Sequence, residues 1–490
     1  MVWCAFKQRF LWRPLRRIII SARRHYCGTD KTPHVAIVGS GPAGFYTAQQ
    51  LLKGHPSLRV DIYEKLPVPF GLVRYGVAPD HPEVKIVTNT FTETARNKRC
   101  SFIGNITVGK DITIGELQRA YTAVVLAYGA DEDRKLGIPG EDLPNVLSAR
   151  QFVGWYNGLP QDRDLSVDLS RENAVIIGHG NVAIDVCRIL MTPIDTLRKT
   201  DISQYSLDQL AASNVKKVYM VGRRGPLQIA LTIKELREMI RLPECRTIIH
   251  KEDVLDLDKV ISDLPRPRRR LTELLHKTGV SPSEKDSKHW ATASREWELR
   301  FCLSPVEIRA GNAGKSVEGV RFCVNRLEGE DIVNKKAVPT DKTVDIECGL
   351  VLRSIGFRSI PIDSSVPFDS QRGIIPNQNG RILGTTGLYC SGWVGLGPVG
   401  VILTTMTDGF EKGKLVLKDI EEGRLDNSGK NGRDQALDIL KQRGVQVVSF
   451  SDWECIDEAE CKNGQQHGKP REKMADTADM LKAVCSSTTS

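Results

Sequence analysis

At 490 residues the chain is long enough for two or three domains, and its 40% hydrophobic and 26% charged residues suit an ordinary folded protein with ample core. The formal charge of +9 is unevenly placed: residues 1–29 carry Lys7, Arg9, Arg13, Arg16, Arg17, Arg23 and Arg24 and no acid, so the remainder holds +2 and nucleic-acid binding is not implied. No segment approaches the ~20 apolar residues that cross a bilayer as a helix.

Residues 1–30, arginine-rich and without an acid before Asp30, have the composition of a mitochondrial presequence. Pro14 interrupts any single helix there, and cleavage falls between Arg24 and Cys27. A basic surface arm is the alternative. From His34 to Glu64 the pattern is strand, helix, strand. Its turn reads Gly39-Ser40-Gly41-Pro42-Ala43-Gly44, a helical pattern follows over Phe45–Leu52, and Glu64 stands about 20 residues further on, where a dinucleotide fold places its acid. Such glycines allow a tight turn and bring the backbone close to a pyrophosphate at the positive end of the helix. A carboxylate accepts from a ribose 2′-hydroxyl and repels a 2′-phosphate, so this unit predicts FAD. The run from Leu66 to Glu83, broken by Pro67, Pro69, Gly71, Gly76, Pro79 and Pro82, is a loop that lines something. A buried strand ending in Gly129-Ala130 closes residues 31–131 as the first part of a flavin domain.

A nucleotide domain is then inserted over 132–357. Its own turn, Gly178-His179-Gly180-Asn181-Val182-Ala183, follows the apolar Ala174–Ile177. The later strand Val218–Val221 runs through Gly222 to Arg223-Arg224, a pair suited to a 2′-phosphate, which predicts NADP(H). Arg223 lies 45 residues past Gly178, and an inserted helix and loop over Thr196–Ser213 absorb the extra length. Arg266-Pro267-Arg268-Arg269-Arg270 is the densest basic run after the presequence, and its interleaved proline makes it a poor helix start. By itself it reads as a solvated face. A strand ending at Gly356-Phe357 returns the chain to the flavin domain, whose second part spans 358–474 with Gly392-Trp393, Gly397–Gly400 and a helix from about Val401. A helix over Asp434–Arg443 follows, and 475–490 reads as a disordered tail.

Twelve scattered cysteines include no CxxC or CxxxxC pair, so neither a redox dithiol nor an iron–sulfur or zinc ligand set is present, and no metal is expected. Cys187, Cys323 and Cys390 read as buried thiols. Electrons leaving a flavin here go straight to an external acceptor. The fold expected is α/β: two doubly wound, Rossmann-like nucleotide domains in a glutathione-reductase-like architecture, with the NADP domain inserted in a discontinuous FAD domain.

Over nearly all of residues 34–474 the chain resembles the adrenodoxin reductases, the mitochondrial NADPH–ferredoxin reductases. The resemblance rests on long strings, among them GSGPAGFYTAQ, DIYEKLPVPFGLVRYGVAPDHPEVK, FVGWYNGLP, VGRRGPLQ, PRPRRRLTELL, CSGWV and GKPREK. It implies hydride transfer from NADPH to FAD, then single electrons to an acidic [2Fe–2S] ferredoxin in the mitochondrial matrix, feeding cytochrome P450 systems or iron–sulfur assembly. Peripheral association with the inner membrane is compatible with it. Ala43, Glu64, Leu72 and Val108 would touch FAD beside the glycine turn, and Trp393, Gly400, Val401 and Ile402 its isoalloxazine end. Gly178, His179, Gly180, Asn181 and Val182 would cradle the NADP pyrophosphate, with Arg223, Arg224 and Glu235 around the 2′-phosphate and Gly400 near the nicotinamide. Trp393 would take part in catalysis with His81 and Asp185, the last two as a polar network by the flavin, neither abstracting a proton. Arg237, Arg266 and Arg270 would dock the ferredoxin.

Two departures stand out. Gly395-Leu396 and Val399 replace the lysine-arginine pair and threonine of the family pattern, which bears on ferredoxin docking. His179 replaces a glutamine, which would alter a hydrogen bond on the phosphate side. A flavin-dependent NADPH oxidase or monooxygenase, and a ferredoxin-binding flavoprotein with impaired turnover, are the alternatives.

Overall fold

The computed structural model describes residues 32–311, 314 and 316–487. The expected presequence and its cleavage site lie outside them. Two parallel sheets organise the chain. The first has seven strands in the order Asn377–Gln378, Arg381–Ile382, Leu388–Cys390, Ala123–Leu126, His34–Val38, Arg59–Tyr63, Cys100–Ile103, the last five mutually parallel. The strand Leu388–Cys390 thus joins a sheet begun 350 residues earlier, while everything from Val146 to Arg353 builds elsewhere. The second sheet is wholly parallel, in the order Val146–Ser148, Leu350–Arg353, Asn173–Ile177, Lys217–Val221, Arg295–Arg300, Cys245–Ile249. Where the chain passes between the two, Glu132–Asp133 pairs antiparallel with Phe357–Arg358.

Parallel strands covered on both faces are apolar on both. In the first sheet Val35, Ile37 and Val125 face Phe45, Leu51 and Phe91, while Ala36, Val38, Val124 and Leu126 face Ile112, Ile114 and Leu117. The long helix Ile402–Glu421 lies against Pro42–Gly54 so closely that a Cβ on Gly409 would stand 2.8 Å from Tyr46 Cβ, and one on Gly413 2.6 Å from Gln50 Cβ. These two glycines bring the returning segment onto the first glycine turn.

Three features differ from the sequence reading. The basic run opens a helix, Arg266–Val280, with Pro267 in its first turn. The first amides of a helix have no intrahelical acceptor, so proline costs nothing there. The tail also folds: Thr477–Ser487 is helical, with Met480 and Val484 buried. Finally, Leu303–Ala310, Val317–Glu328 and Lys336–Glu347 form an antiparallel sheet that the nucleotide pattern does not announce. Cys187, Cys323 and Cys390 are buried free thiols, as expected. No helix among the described residues is long and apolar enough to cross a membrane.

Candidate active site

The first turn shows why each glycine is there. Gly39 has φ +111°, and a Cβ on it would stand 2.5 Å from Ala127 O; one on Gly44 would stand 2.0 Å from Gly39 O. Gly41 differs: a Cβ there meets nothing within 4 Å, so the space in front of the helix terminus is open to a pyrophosphate. Half-buried Glu64 accepts from Ser40 N (3.1 Å), Ser40 Oγ (2.6 Å) and Leu66 N (3.2 Å), which holds its carboxylate beside the turn. The proline-rich loop is tied to the same place. Phe70 N donates to Ser40 O at 3.1 Å, and a Cβ on Gly71 would lie 3.1 Å from Gly41 Cα. Phe70 has φ +84°, rare for an aromatic residue, and packs against Phe45, Phe91 and Trp453. Leu72 follows, 40% exposed; Ala43 and Val108 are buried. Gly392, whose amide donates to Asp408 Oδ2 at 2.6 Å, sits so close to Ala43 that a Cβ would be 2.6 Å from Ala43 Cβ.

The second turn repeats the logic. Gly178 has φ +136° and would bring a Cβ within 2.2 Å of Ser354 O, whereas one on Gly180 meets nothing within 4 Å. Buried Ala183 takes the third glycine's place. Asn181, with its amide turned to donate, reaches Glu235 Oε2 (2.7 Å) and Ala230 O (3.2 Å). Glu235 is also the reciprocal partner of Thr232 at the start of Ile233–Ile240. The His179 ring does not face the phosphate side. Its Nε2 lies 2.9 Å from Met220 O, the ring meets Phe301 edge-on, and a Cβ on Gly222 would strike it. Its backbone alone serves the turn, which corrects the expected phosphate-side hydrogen bond.

Burial lowers the His179 pKa to about 4, against a smaller opposing effect of the Met220 carbonyl. The ring is therefore neutral when folded but protonates near 6.5 when unfolded. Its contribution to stability is present above 6.5 and is lost as pH falls to about 4. His179→Gln is expected to flatten the fall in melting temperature over that window. Parallel curves for the two proteins would refute the assignment.

The second turn opens into a cleft of about 930 Å³, and none of the first turn's residues lines it. Gly178–Val182, Arg223 and Arg224 line one end, and Trp393 with Pro398–Val401 the other. Trp393 packs on Phe357, with ring centres 5.4 Å apart. Ile402 begins the helix Ile402–Glu421, and Gly400, at φ +96°, makes the bend before it. Arg134, Lys135, Arg150 and Arg353 also line the cleft and escaped the sequence reading; the Arg134-Lys135 pair just after the crossing strand was its one local signal. His81 and Asp185 are joined by Arg188 rather than by a direct bond. Arg188 pairs with Asp185 (2.8 Å) and Asp80 (2.6 Å) and approaches His81 Nδ1 at 3.5 Å, while His81 Nε2 meets Glu238 at 3.0 Å. Burial raises the Asp185 pKa to about 6 against the opposing Arg188 charge. Neither His81 nor Asp185 is among the cleft's lining residues. Arg266 and Arg270 are exposed one helical turn apart, and Arg237 is half-buried on the neighbouring helix Ile233–Ile240.

Two open glycine turns, a carboxylate at one and an arginine pair at the other, thus fit two dinucleotides, and the cleft in front of the second turn runs to Trp393 and Gly400 of the returning flavin segment. The sequence matches the pyridine nucleotide-disulphide oxidoreductase family over residues 33–216. The mitochondrial NADPH:adrenodoxin oxidoreductase of Homo sapiens is 56% identical over 461 residues, spanning 94% of each chain. That of Arabidopsis thaliana is 42% identical over 486 residues, 96% of this chain and 99% of its own. The structure of Mycobacterium tuberculosis FprA in complex with NADPH superposes with a TM-score of 0.86 at 38% identity, covering 93% of this chain and 100% of that one. With likeness of this extent joined to that cleft, the chain belongs to the NADPH:adrenodoxin oxidoreductase family.

Proposed function

We infer that the protein draws electrons from NADPH, passes them through FAD and delivers them to a [2Fe–2S] ferredoxin of the adrenodoxin type in mitochondria. The observation that carries this reading is the single cleft joining the Arg223-Arg224 end to Trp393 and Gly400. Bound FAD supplies the exchange between two-electron and one-electron chemistry that no side chain offers. The chain's own work is placement. Glu64, held by Ser40, receives the FAD ribose, and the terminus at Gly41 its pyrophosphate; Ala43, Leu72 and Val108 complete that wall. Gly178–Val182 take the NADP pyrophosphate, Arg223 and Arg224 the 2′-phosphate, and Glu235 orients Asn181. Trp393 and Gly400–Ile402 shape the place where the two reactive rings meet. Arg188 holds His81 and Asp185 in one network and, through Asp80, links the first nucleotide unit to the second.

Arg237, Arg266 and Arg270 are the docking cations for an acidic ferredoxin, and no ion pair among the described residues includes any of them. The test is anaerobic: stoichiometric NADPH bleaches the flavin, and oxidised ferredoxin restores its colour while becoming reduced. Arg266→Glu with Arg270→Glu is expected to leave bleaching intact and to raise the KM for ferredoxin roughly 10- to 100-fold, the scale of two lost charge contacts. NADPH and oxygen consumption without a carrier would mark an oxidase. Bleaching that ferredoxin cannot reverse would mark a protein that binds its carrier without turnover.

A further inference from the structure

The basic run on the helix Arg266–Val280 is not one surface. Arg266 and Arg270 stand four residues apart on one face, while Arg268 is about 200° round the helix from Arg266 at ~100° per residue. Exposure follows that geometry: Arg266, Arg269 and Arg270 are exposed and Arg268 is half-buried. The inward face continues through Leu271, Thr272 and Leu275, all buried. Arg269 turns back to bond Ser262 O (2.7 Å) and Leu264 O (3.1 Å).

Arg268 goes the other way. Its Nη1 donates to Ile229 O at 2.5 Å. Ile229 is joined to the second glycine turn through its neighbour, for Ala230 N donates to His179 O at 3.0 Å and Ala230 bridges Gly180. Arg268 therefore reaches, from behind the lining, the Gln228–Ala230 segment, whose Gln228 and Ala230 line the cleft together with Arg223 and Arg224. Its surroundings are electrostatically one-sided. Burial, and then the Arg224 charge, pull the Arg268 pKa below its usual value, and no carboxylate opposes them. Among the described residues, no ion pair includes Arg223, Arg224 or Arg268. Three guanidinium groups that no carboxylate pairs with, near a glycine turn open at Gly180 whose adjacent carboxylate, Glu235, is engaged by Asn181, are the arrangement a phosphate dianion stabilises.

We propose that Arg268 is a specificity residue for the 2′-phosphate of NADP(H), so that one basic run serves two anions: Arg268 inward to the nucleotide, Arg266 and Arg270 outward to the protein partner. This rests on the NADP reading of the second turn, and the test separates the two.

The probes are 2′,5′-ADP and 5′-AMP, titrated calorimetrically against the flavin-loaded protein. If the unaltered protein binds both alike, the NADP reading itself fails. If it prefers 2′,5′-ADP, Arg268→Gln is expected to weaken that ligand about 10- to 150-fold, the scale of one charge-assisted contact, with 5′-AMP and the ferredoxin KM unchanged. Arg268→Lys, which keeps the charge, restores most of the preference. Equal losses for both ligands would reduce Arg268 to a clamp on Ile229, and a rise in the ferredoxin KM alone would assign it to the docking face; either overturns the proposal. A second measurement needs no variant. In the unaltered protein 2′,5′-ADP, but not 5′-AMP, shields Arg268 from phenylglyoxal, read by peptide mass spectrometry. Equal labelling under both ligands overturns it too.

Discussion

Gly41→Val is expected to give a folded protein that holds no flavin. Gly41 has φ −75° and ψ −175°, extended backbone open to any residue, and a Cβ there meets nothing within 4 Å. The free protein therefore accepts the valine. The loss falls on the ligand, because the added branches fill the space in front of the helix terminus where a pyrophosphate comes within hydrogen-bond reach. Overfilling a fitted site costs about 1–3 kcal/mol, and a lost bond to a charged group about 1.5–3 kcal/mol. At about 1.4 kcal/mol per tenfold, FAD binding weakens roughly 100- to 10,000-fold. Gly39→Ala and Gly44→Ala are the contrast: their Cβ atoms would stand 2.5 Å and 2.0 Å from backbone oxygens, so the turn itself cannot form. The measurement is flavin absorbance per polypeptide, with circular dichroism to confirm the fold. A yellow, fully loaded Gly41→Val protein would refute the placement of the pyrophosphate.

The turn, its helix and Glu64 were legible in the sequence because they are local, lying within one continuous stretch of chain. Which glycine meets backbone and which faces open space depends instead on Ala127 and the fold around it. The insertion expected between 132 and 357 was read from signals of the same local kind, two crossing segments that each end in a glycine turn. What escaped depends on partners far away in sequence. Phe70 adopts a positive φ because Phe45, Phe91 and Trp453 hold its ring, and nothing near residue 70 announces Trp453. The His179 ring turns inward toward Met220 O and Phe301, while its sequence position speaks only of the phosphate side. Arg266-Pro267 begins a helix because Leu271 and Leu275 have a core to enter. Local propensity weighed against that start, and burial decided it.

The most distant of these partnerships carries the second large effect. Glu460, fully buried on the helix Phe450–Gln466, accepts from Arg74 Nη2 (2.5 Å), Arg471 Nη1 (2.9 Å) and Met474 N (2.8 Å). The Arg74 side chain is 5% exposed and lies between the rings of Trp453 and Tyr75. Burial pulls the Arg74 pKa down, but Glu460 more than offsets it, so the guanidinium stays charged inside the protein. Glu460→Ala leaves that charge without its buried carboxylate. Breaking such a pair from one side costs about 3–5 kcal/mol, a large share of the ~5–15 kcal/mol that holds a domain folded. The melting temperature is expected to fall by about 5–15 °C, on the scale of a few degrees per kcal/mol. Flavin should be released at the lower temperature as well, because Arg74 is two residues from Leu72 in the loop tied to Ser40. Glu460→Gln keeps an acceptor for Met474 and loses less. The decisive comparison is Arg74→Met with Glu460→Met: removing both charges abolishes the unpaired ion, so the double variant should melt above Glu460→Ala. If instead Glu460→Ala melts within about 2 °C of the unaltered protein, the charge has found water, and the C-terminal segment does not hold the flavin loop through this pair.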